Sequence, residues 1–329
     1  MAGNTSVREG GEGSKQGHGC PIAGAKGRPL ERKGGRRVLF EGYQIIPGAE
    51  MRDYTTLKLG GPVDWLALPA SAEDVAGLFR EAEKNRLPVT VIGHGSNLLV
   101  LDGGIRGLVI RMGRGMNRIR TEGNVLRAQA GAMMSAVAAE AADRGLTGLE
   151  FASGIPGTVG GGAVMNAGAY GGEMAQVISS VTGVLPGGQF LTLNREQLAF
   201  GYRRSAIPEI GMTVTEVVFE LTPGIPEAIR AKMGELNRQR AEKQPLDAHS
   251  AGSTFKRPEG AFAAALIDQC GLKGYRIGGA MVSTKHAGFL ISDGGTAKDF
   301  LELIRTVQRI VAERTGVSLE PEIRIIGEE

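Results

Sequence analysis

Apolar residues recur along this chain at two different periods. Helical spacing is clearest over residues 297–313, where Phe300, Leu301, Ile304, Val307, Ile310 and Val311 share one face. Ser71-Ala-Glu-Asp74, followed by Val75, Leu78 and Phe79, predicts a helix start in which Asp74 stands at the usual Glu/Gln position of a capping box. Pro88 closes that helix. Residues 133–142 are Ala-rich and helical, residues 228–242 are charged with Ile229, Met233 and Leu236 on one face, and residues 261–270 add a further helix. Short apolar or alternating runs predict strands at 89–92, 107–110, 118–120, 125–130 and 213–221. A hairpin joins 177–184 to 190–193 across Pro186-Gly-Gly188, and further strands fall near 279–282, 288–291 and 322–326. Helices and strands alternate irregularly and without an internal repeat, which predicts an α+β fold rather than a doubly wound sheet. Pro223-Gly-Ile-Pro226 marks a boundary between a domain at 38–223 and one at 224–329, with the last strand near 322–327 a candidate to return to the first.

Composition adjusts this picture at one end. Residues 1–37 carry eight basic and three acidic residues, a charge of +5, which leaves the other 292 residues at −2. Ten of the 37 are Gly and almost none are apolar, so the segment is expected to be a disordered basic tail. It has no apolar stretch of the kind that makes a secretory signal. With that tail set aside, no charge concentration points to nucleic acid. No apolar run approaches the ~20 residues of a spanning helix. Cys20 and Cys270 are too few for a disulfide scaffold and fit a reducing cytoplasm.

The usual nucleotide fingerprints are missing. No G-x-G-x-x-G occurs and no Gly is followed by Lys, so neither a Rossmann nor a Walker A loop is present. His18, His94, His249 and His286 are scattered, with no C-x-x-C and no H-E-x-x-H, and no metal site is expected. Two glycine clusters remain. In the first, a strand runs into Gly93-His94-Gly95-Ser96-Asn97-Leu98, where glycines bring backbone N–H groups near an anion and Ser and Asn add donors. A diphosphate is the natural guest, and a plain strand-to-strand turn is the alternative. The second spans 148–171. Its glycines at 154, 157 and 160 would form a bare stripe along a helix started near Pro156, suited either to a flat ring or to close packing. Ser253, Arg203 and Glu322 each lie in small or apolar surroundings, and each alone would more often be structural.

Taken together these segments resemble the UDP-N-acetylenolpyruvoylglucosamine reductase (MurB) family. The resemblance runs from about Tyr54 to Gly327 through Thr55-Thr-Leu-Lys-Leu-Gly-Gly61, Gly93-His-Gly-Ser-Asn-Leu-Leu99, Ser153-Gly-Ile-Pro-Gly-Thr-Val-Gly160, Asn166-Ala-Gly-Ala-Tyr-Gly171, Gly201-Tyr-Arg203, Ala251-Gly-Ser-Thr-Phe-Lys256, residues 266–274, Val282-Ser-Thr-Lys-His286 and Leu319-Glu-Pro-Glu-Ile-Arg324. The compact spacing between Arg203 and Ser253 matches the shorter form of the family, which lacks an extra substrate-capping loop.

The resemblance implies an FAD-binding domain of the flavin-oxidase (PCMH/VAO-like) type in two subdomains, followed by a C-terminal α/β substrate-binding domain. It implies FAD contacts from Gly93, His94, Gly95, Ser96, Asn97, Leu98, Ser153, Gly154, Ile155, Pro156, Gly157, Gly160, Asn166 and Gly168. It implies a reaction in which NADPH reduces FAD, and hydride then reaches C3 of the enolpyruvyl group of UDP-N-acetylglucosamine enolpyruvate while C2 is protonated. Ser253 would donate that proton, Arg203 would stabilise charge on the substrate carboxylate, and Glu322, held protonated, would help polarise the intermediate. Tyr170, Tyr202, Lys273 and Lys285 are candidate substrate contacts. Arg257 stands where some members carry Asn and is a candidate for the UDP phosphates instead. His94 occupies a variable position, so the FAD is expected to be non-covalent. A monomer is the expected state, with neither nucleic acid nor membrane as partner. The competing readings are another FAD-dependent oxidase or dehydrogenase of the same fold, and a flavin-binding protein without catalysis.

Overall fold

The computed structural model describes Met1, the antiparallel two-residue strands Leu30–Glu31 and Arg37–Val38, and residues 40–329. The rest of the basic segment, with Cys20 and the disorder expected of it, lies outside the described residues.

Three regions meet around one cleft. The first is a four-stranded sheet in the order Ile45–Pro47, Val63–Ala67, Ile105–Arg111, Val89–Ile92, in which the last three strands are parallel. Helix α1 (Ala72–Lys84) packs on it. Ser71 caps this helix by accepting a hydrogen bond from the Asp74 N–H, as the capping pattern predicts. Its buried Val75, Leu78 and Phe79 join Trp65, Leu108 and Ile110 in a common core.

The second region is a five-stranded antiparallel sheet in the order Phe190–Asn194, Ile178–Val184, Thr213–Glu220, Val125–Gln129, Ile119–Glu122. Helices α2 (Met134–Asp143) and α3 (Val159–Val164) lie against it. The glycine stripe expected on a helix does not form, because α3 begins only after Gly154 and Gly157. Gly157 has φ of +133°, a backbone state that no α-helix contains. Gly160 is a packing glycine: a Cβ there would stand 2.8 Å from Ala130 Cβ.

Helix α4 (Pro226–Lys243) starts with Pro226 in its first turn. It buries Ile229 and Leu236, and Met233 packs into the core shared by the first two regions. Helix α4 therefore packs on the first unit. Pro226 opens a helix that continues the first unit instead of closing a linker.

The third region is a four-stranded antiparallel sheet, His249–Ser250, Leu290–Ser292, Ala280–Val282, Arg276–Ile277, with helices α5 (Ala263–Gln269) and α6 (Ala297–Thr315). Helix α6 buries Phe300, Leu301, Ile304, Val307 and Val311 on one face and ends at Gly316 with φ of +74°. Two ties bind this region to the first. Both oxygens of Asp102 accept N–H groups at the start of α6, from Ala297 and Lys298. Strand Arg324–Ile326 pairs in parallel with Leu98–Val100, beside the first glycine loop. Among the described residues no helix is long and apolar enough to cross a membrane.

Candidate active site

The first glycine loop leaves the sheet at Ile92 and has no room for side chains at two positions. A Cβ on Gly93 would stand 2.2 Å from Thr158 Oγ1, and one on Gly95 would stand 2.3 Å from the Tyr54 carbonyl oxygen. Gly95 also has φ of +74°. The two glycine clusters touch here, since Ser96 Oγ donates to the Pro156 carbonyl at 3.0 Å. Asn97 reaches the other way. Its Nδ2 donates to the Glu322 carbonyl at 3.3 Å, and its own carbonyl accepts from the Arg324 N–H at 2.9 Å. One short loop thus fixes both the second glycine cluster and the strand that carries Glu322.

These loops line a cleft of about 560 Å³, within the range of small-molecule sites. Residues Gly93 to Leu98 form part of its wall, with Ile155, Pro156, Gly157, Gly160 and Gly168. Arg203, Ser253 and Glu322, far apart in sequence, line it as well. Arg203 Nε donates to Glu322 Oε1 at 2.7 Å in a largely buried ion pair, and Arg203 Nη2 donates to the Gly168 carbonyl at 3.4 Å. Arg203 has φ of +55°, an uncommon state for a non-glycine residue. Asn166 helps hold it there: its Nδ2 donates to the Gly201 carbonyl while its Oδ1 accepts from the Ala175 N–H.

Ser253 follows Gly252, whose φ is +78°. The backbone after it is pinned, with the Thr254 N–H donating to the Gly288 carbonyl and the Thr254 carbonyl accepting from the Glu322 N–H at 2.8 Å. Its side chain is exposed to the cleft. His94 also faces the cleft. Burial, then the charges of Arg111 and Lys58, lower its pKa below 6.5, so its ring stays neutral at pH 7.

Other sequence-predicted contacts lie outside the cleft wall. Ser153 Oγ donates to the Glu150 carbonyl and lies 3.3 Å from Asn237 Oδ1, while Gly154 packs over Asn237 and Arg240. Asn166 is buried, and its amide is bonded within the protein to Gly201 and Ala175. Lys273 pairs with Asp268, and Lys285 donates to the Ala241 carbonyl; neither is part of the cleft wall. Tyr170 and Tyr202 are exposed, and Tyr202 lies under the Arg203 guanidinium, 5.2 Å from ring to Cζ. Arg257 stacks on Phe262, 4.1 Å from its ring, and its N–H reaches Tyr202 Oη. Sequence reasoning missed Gly161, Arg240, Gln244 and Arg324, all of which line the cleft. The usable signal was the three-Gly run at 160–162 and the four-residue spacing of Arg240 and Gln244 on one helix.

The C-terminal-domain pattern of UDP-N-acetylenolpyruvoylglucosamine reductases matches residues 244–326, and that of an FAD binding domain matches residues 63–194. The UDP-N-acetylenolpyruvoylglucosamine reductase of Lactiplantibacillus plantarum is 50% identical over 291 residues, covering 88% of this chain and 96% of that protein. The chain belongs to the UDP-N-acetylenolpyruvoylglucosamine reductase (MurB) family. The enzyme of that name from Clostridium botulinum strain Hall is 51% identical over 286 residues, 87% of this chain and 93% of that one. The MurB crystal structure from Thermus caldophilus superposes with a TM-score of 0.74 at 38% identity, over 86% of this chain and 98% of that one. The chain is thus an FAD-dependent oxidoreductase with the fold of this family, and the MurB C-terminal domain begins at the end of α4.

The cleft fits the flavin nucleotide. Gly161 is exposed in its wall, and a Cβ there would meet nothing closer than 3.7 Å, so any side chain would stand in the space a cofactor needs. The Gly93–Asn97 turn presents backbone to that space with the chemistry a pyrophosphate requires. Among the described residues no group of three His, Cys, Asp or Glu could hold a metal ion.

Proposed function

We propose that this chain reduces UDP-N-acetylglucosamine enolpyruvate to UDP-N-acetylmuramate at the expense of NADPH, a step of peptidoglycan precursor synthesis. The observation that supports this most is the meeting of Ser253, Arg203 and Glu322 in one cleft whose opposite wall is glycine backbone. FAD, when bound, supplies a hydride to C3 of the enolpyruvyl group and regains it from NADPH.

Ser253 delivers the proton to C2. A serine hydroxyl is a weak acid, so its contribution comes from fixed placement against a strongly basic carbon. The hydrogen bonds of Thr254 to Gly288 and Glu322 supply that fixity. Arg203 stabilises negative charge that gathers on the enolpyruvyl carboxylate as hydride arrives, and does so in a site partly withdrawn from water. Glu322 holds the guanidinium in place before substrate binds. Once the substrate carboxylate takes up Arg203, Glu322 loses its counter-charge and takes a proton from solvent, so it no longer opposes the developing enolate.

Gly93 to Leu98, Ile155 to Gly157, Gly160 and Gly168 hold FAD through backbone and small groups, with Ser153 and Gly154 supporting them from behind. Asn166 acts through the Arg203 loop instead of touching the cofactor. Tyr170, Tyr202 and Arg257 form the substrate-side rim. His94 carries no covalent flavin, so acid precipitation is expected to release all yellow colour to the supernatant; colour retained in the pellet would refute this. The deciding assay is NADPH oxidation by the yellow purified protein. It is expected to require UDP-N-acetylglucosamine enolpyruvate and to yield UDP-N-acetylmuramate. Oxidation that proceeds with O₂ and ignores the UDP-sugar would overturn the reading.

A further inference from the structure

Helix α4 ends in the cleft with a polar pair that the chemistry above does not use. Arg240 and Gln244 are four residues apart, so they share a face, and both line the cleft. Arg240 Nε and Gln244 Oε1 are shielded from solvent, and neither has a hydrogen-bond partner. The other buried guanidinium of the cleft, Arg203, is neutralised by Glu322. Arg240 has no such counter-ion among the described residues; Tyr170 is the one titratable group whose charge acts on it, and burial lowers its pKa.

This arrangement is unfavourable as it stands. Arg240 lies in the last turn of α4, where the helix dipole favours a cation, but a dipole is no substitute for a hydrogen-bonded anion. The charge of Arg240 has no counter-ion to offset its partial burial, and its shielded Nε has no acceptor. The deficit points to an anion that arrives with a ligand. The FAD pyrophosphate is already provided for at Gly93–Asn97, a loop tied to Tyr54 and Pro156. Arg240 stands elsewhere, against Gly154 and near Tyr170, next to the 168–170 turn that also contacts Arg203. Of these neighbours, Tyr170 and Arg203 are the ones that the proposed function gives to the substrate, and they place Arg240 with it.

We propose that Arg240, with Gln244 beside it on the same face of α4, binds the diphosphate of the nucleotide-sugar substrate. The inference rests on the reading of the substrate as a UDP-sugar. A guanidinium fork suits a phosphate edge, and the Gln244 amide is free to bond a neighbouring oxygen or the sugar amide.

The test uses FAD-loaded wild type, Arg240→Gln and Arg240→Lys. For Arg240→Gln, KM for the UDP-sugar is expected to rise about 10- to 100-fold, as for a lost charge-assisted hydrogen bond, while kcat stays within a few-fold. Arg240→Lys is expected to recover part of the loss. Flavin content per polypeptide and melting temperature should match wild type. Binding of UDP and of uridine, read from perturbation of the flavin spectrum, separates charge recognition from shape: UDP should weaken and uridine should not. Equal weakening of UDP and uridine, a fall in kcat at unchanged KM, or loss of FAD from Arg240→Gln would overturn the proposal. Wild-type protein that does not consume the UDP-sugar would instead overturn the functional reading, whatever the variants do.

Discussion

The two walls of the cleft are built from different material. One is backbone: Gly93 to Leu98, Ile155 to Thr158, Gly160 and Gly161 meet the ligand space with N–H groups, carbonyls and Cα atoms. The other is side chain: Arg203, Ser253, Glu322 and Arg240 reach in from four separate stretches. A backbone wall depends on what is absent. Gly93 and Gly95 sit where any Cβ would collide with Thr158 or with the Tyr54 carbonyl, so recognition there is inseparable from folding. A side-chain wall depends on charge and reach, and can be altered while the fold remains. The two should therefore fail differently.

The largest effect is expected on the side-chain wall. Ser253→Ala removes the proposed proton donor, and reoxidation of reduced flavin by the UDP-sugar should slow by about 10²- to 10⁴-fold. Reduction by NADPH should be unaffected, as should flavin content. Stopped-flow measurement of each half-reaction tests this, and equal slowing of both would place Ser253 outside proton transfer. Next is Glu322→Gln, which keeps the shape of the Arg203 partner without its charge. If Glu322 is neutral in the reactive complex, flavin reoxidation stays within about tenfold of wild type, well short of the roughly 10²- to 10³-fold typical of a lost oxyanion-stabilising group. Collapse of that half-reaction would require the carboxylate itself.

The backbone wall should respond in stability and cofactor retention. Gly95→Ala places a Cβ 2.3 Å from the Tyr54 carbonyl oxygen in a left-handed backbone. It should cost more than ~1 kcal/mol, release FAD on gel filtration and lower the melting temperature. Gly161→Ala is the contrast. Its Cβ meets no protein atom within 3.7 Å, so the apo fold should melt as wild type does while FAD affinity falls. Normal FAD binding by Gly161→Ala would show that the cofactor does not lie against α3.

Much of this was legible in the sequence because local pattern and tertiary role agree. Helix α6 shows its core face in Phe300, Leu301, Ile304, Val307 and Val311, and those side chains are buried. What was not legible involved residues whose meaning is set by distant partners. The 154/157/160 spacing reads as helical, but Gly157 has φ of +133° and lies against Ser96, sixty-one positions earlier, where a Cβ would stand 2.9 Å from Ser96 Oγ. Pro223 and Pro226 read as a linker, whereas Met233 packs α4 back into the first core. Lys273 and Lys285 lie in family-like segments, and the partners the structure gives them, Asp268 and the Ala241 carbonyl, could not be read from the sequence. Arg240 was hidden for the opposite reason. In Arg238-Gln-Arg-Ala-Glu-Lys243 it reads as part of a solvated charged face, and only the fold turns it inward.

The smallest effect expected is on acid stability, and it asks which wall softens first. Burial is the main cause that holds the pKa of both His94 and His286 below 6.5. His94 lies in the backbone wall; His286 lies in the C-terminal region, where its Nδ1 accepts the Gly288 N–H at 3.1 Å, a bond that protonation removes. In the unfolded chain each ring takes up its proton near pH 6.5, while in the folded protein each resists. The unfolded state therefore binds more protons below that pH, and stability falls as the solution is acidified from 6.5 towards the lower folded values. Melting temperature recorded from pH 7.5 to 5.5 should decline, and less steeply in His94→Gln and His286→Gln. Gly288 sets the position of Thr254, and through it the backbone beside Ser253. Loss of the His286 bond should thus slow flavin reoxidation at pH 5.5 in wild type, whereas protonation of His94 should loosen FAD. If both activities fell together along one curve, the two walls would be a single cooperative unit, and the contrast between them would be one of chemistry without any difference in stability.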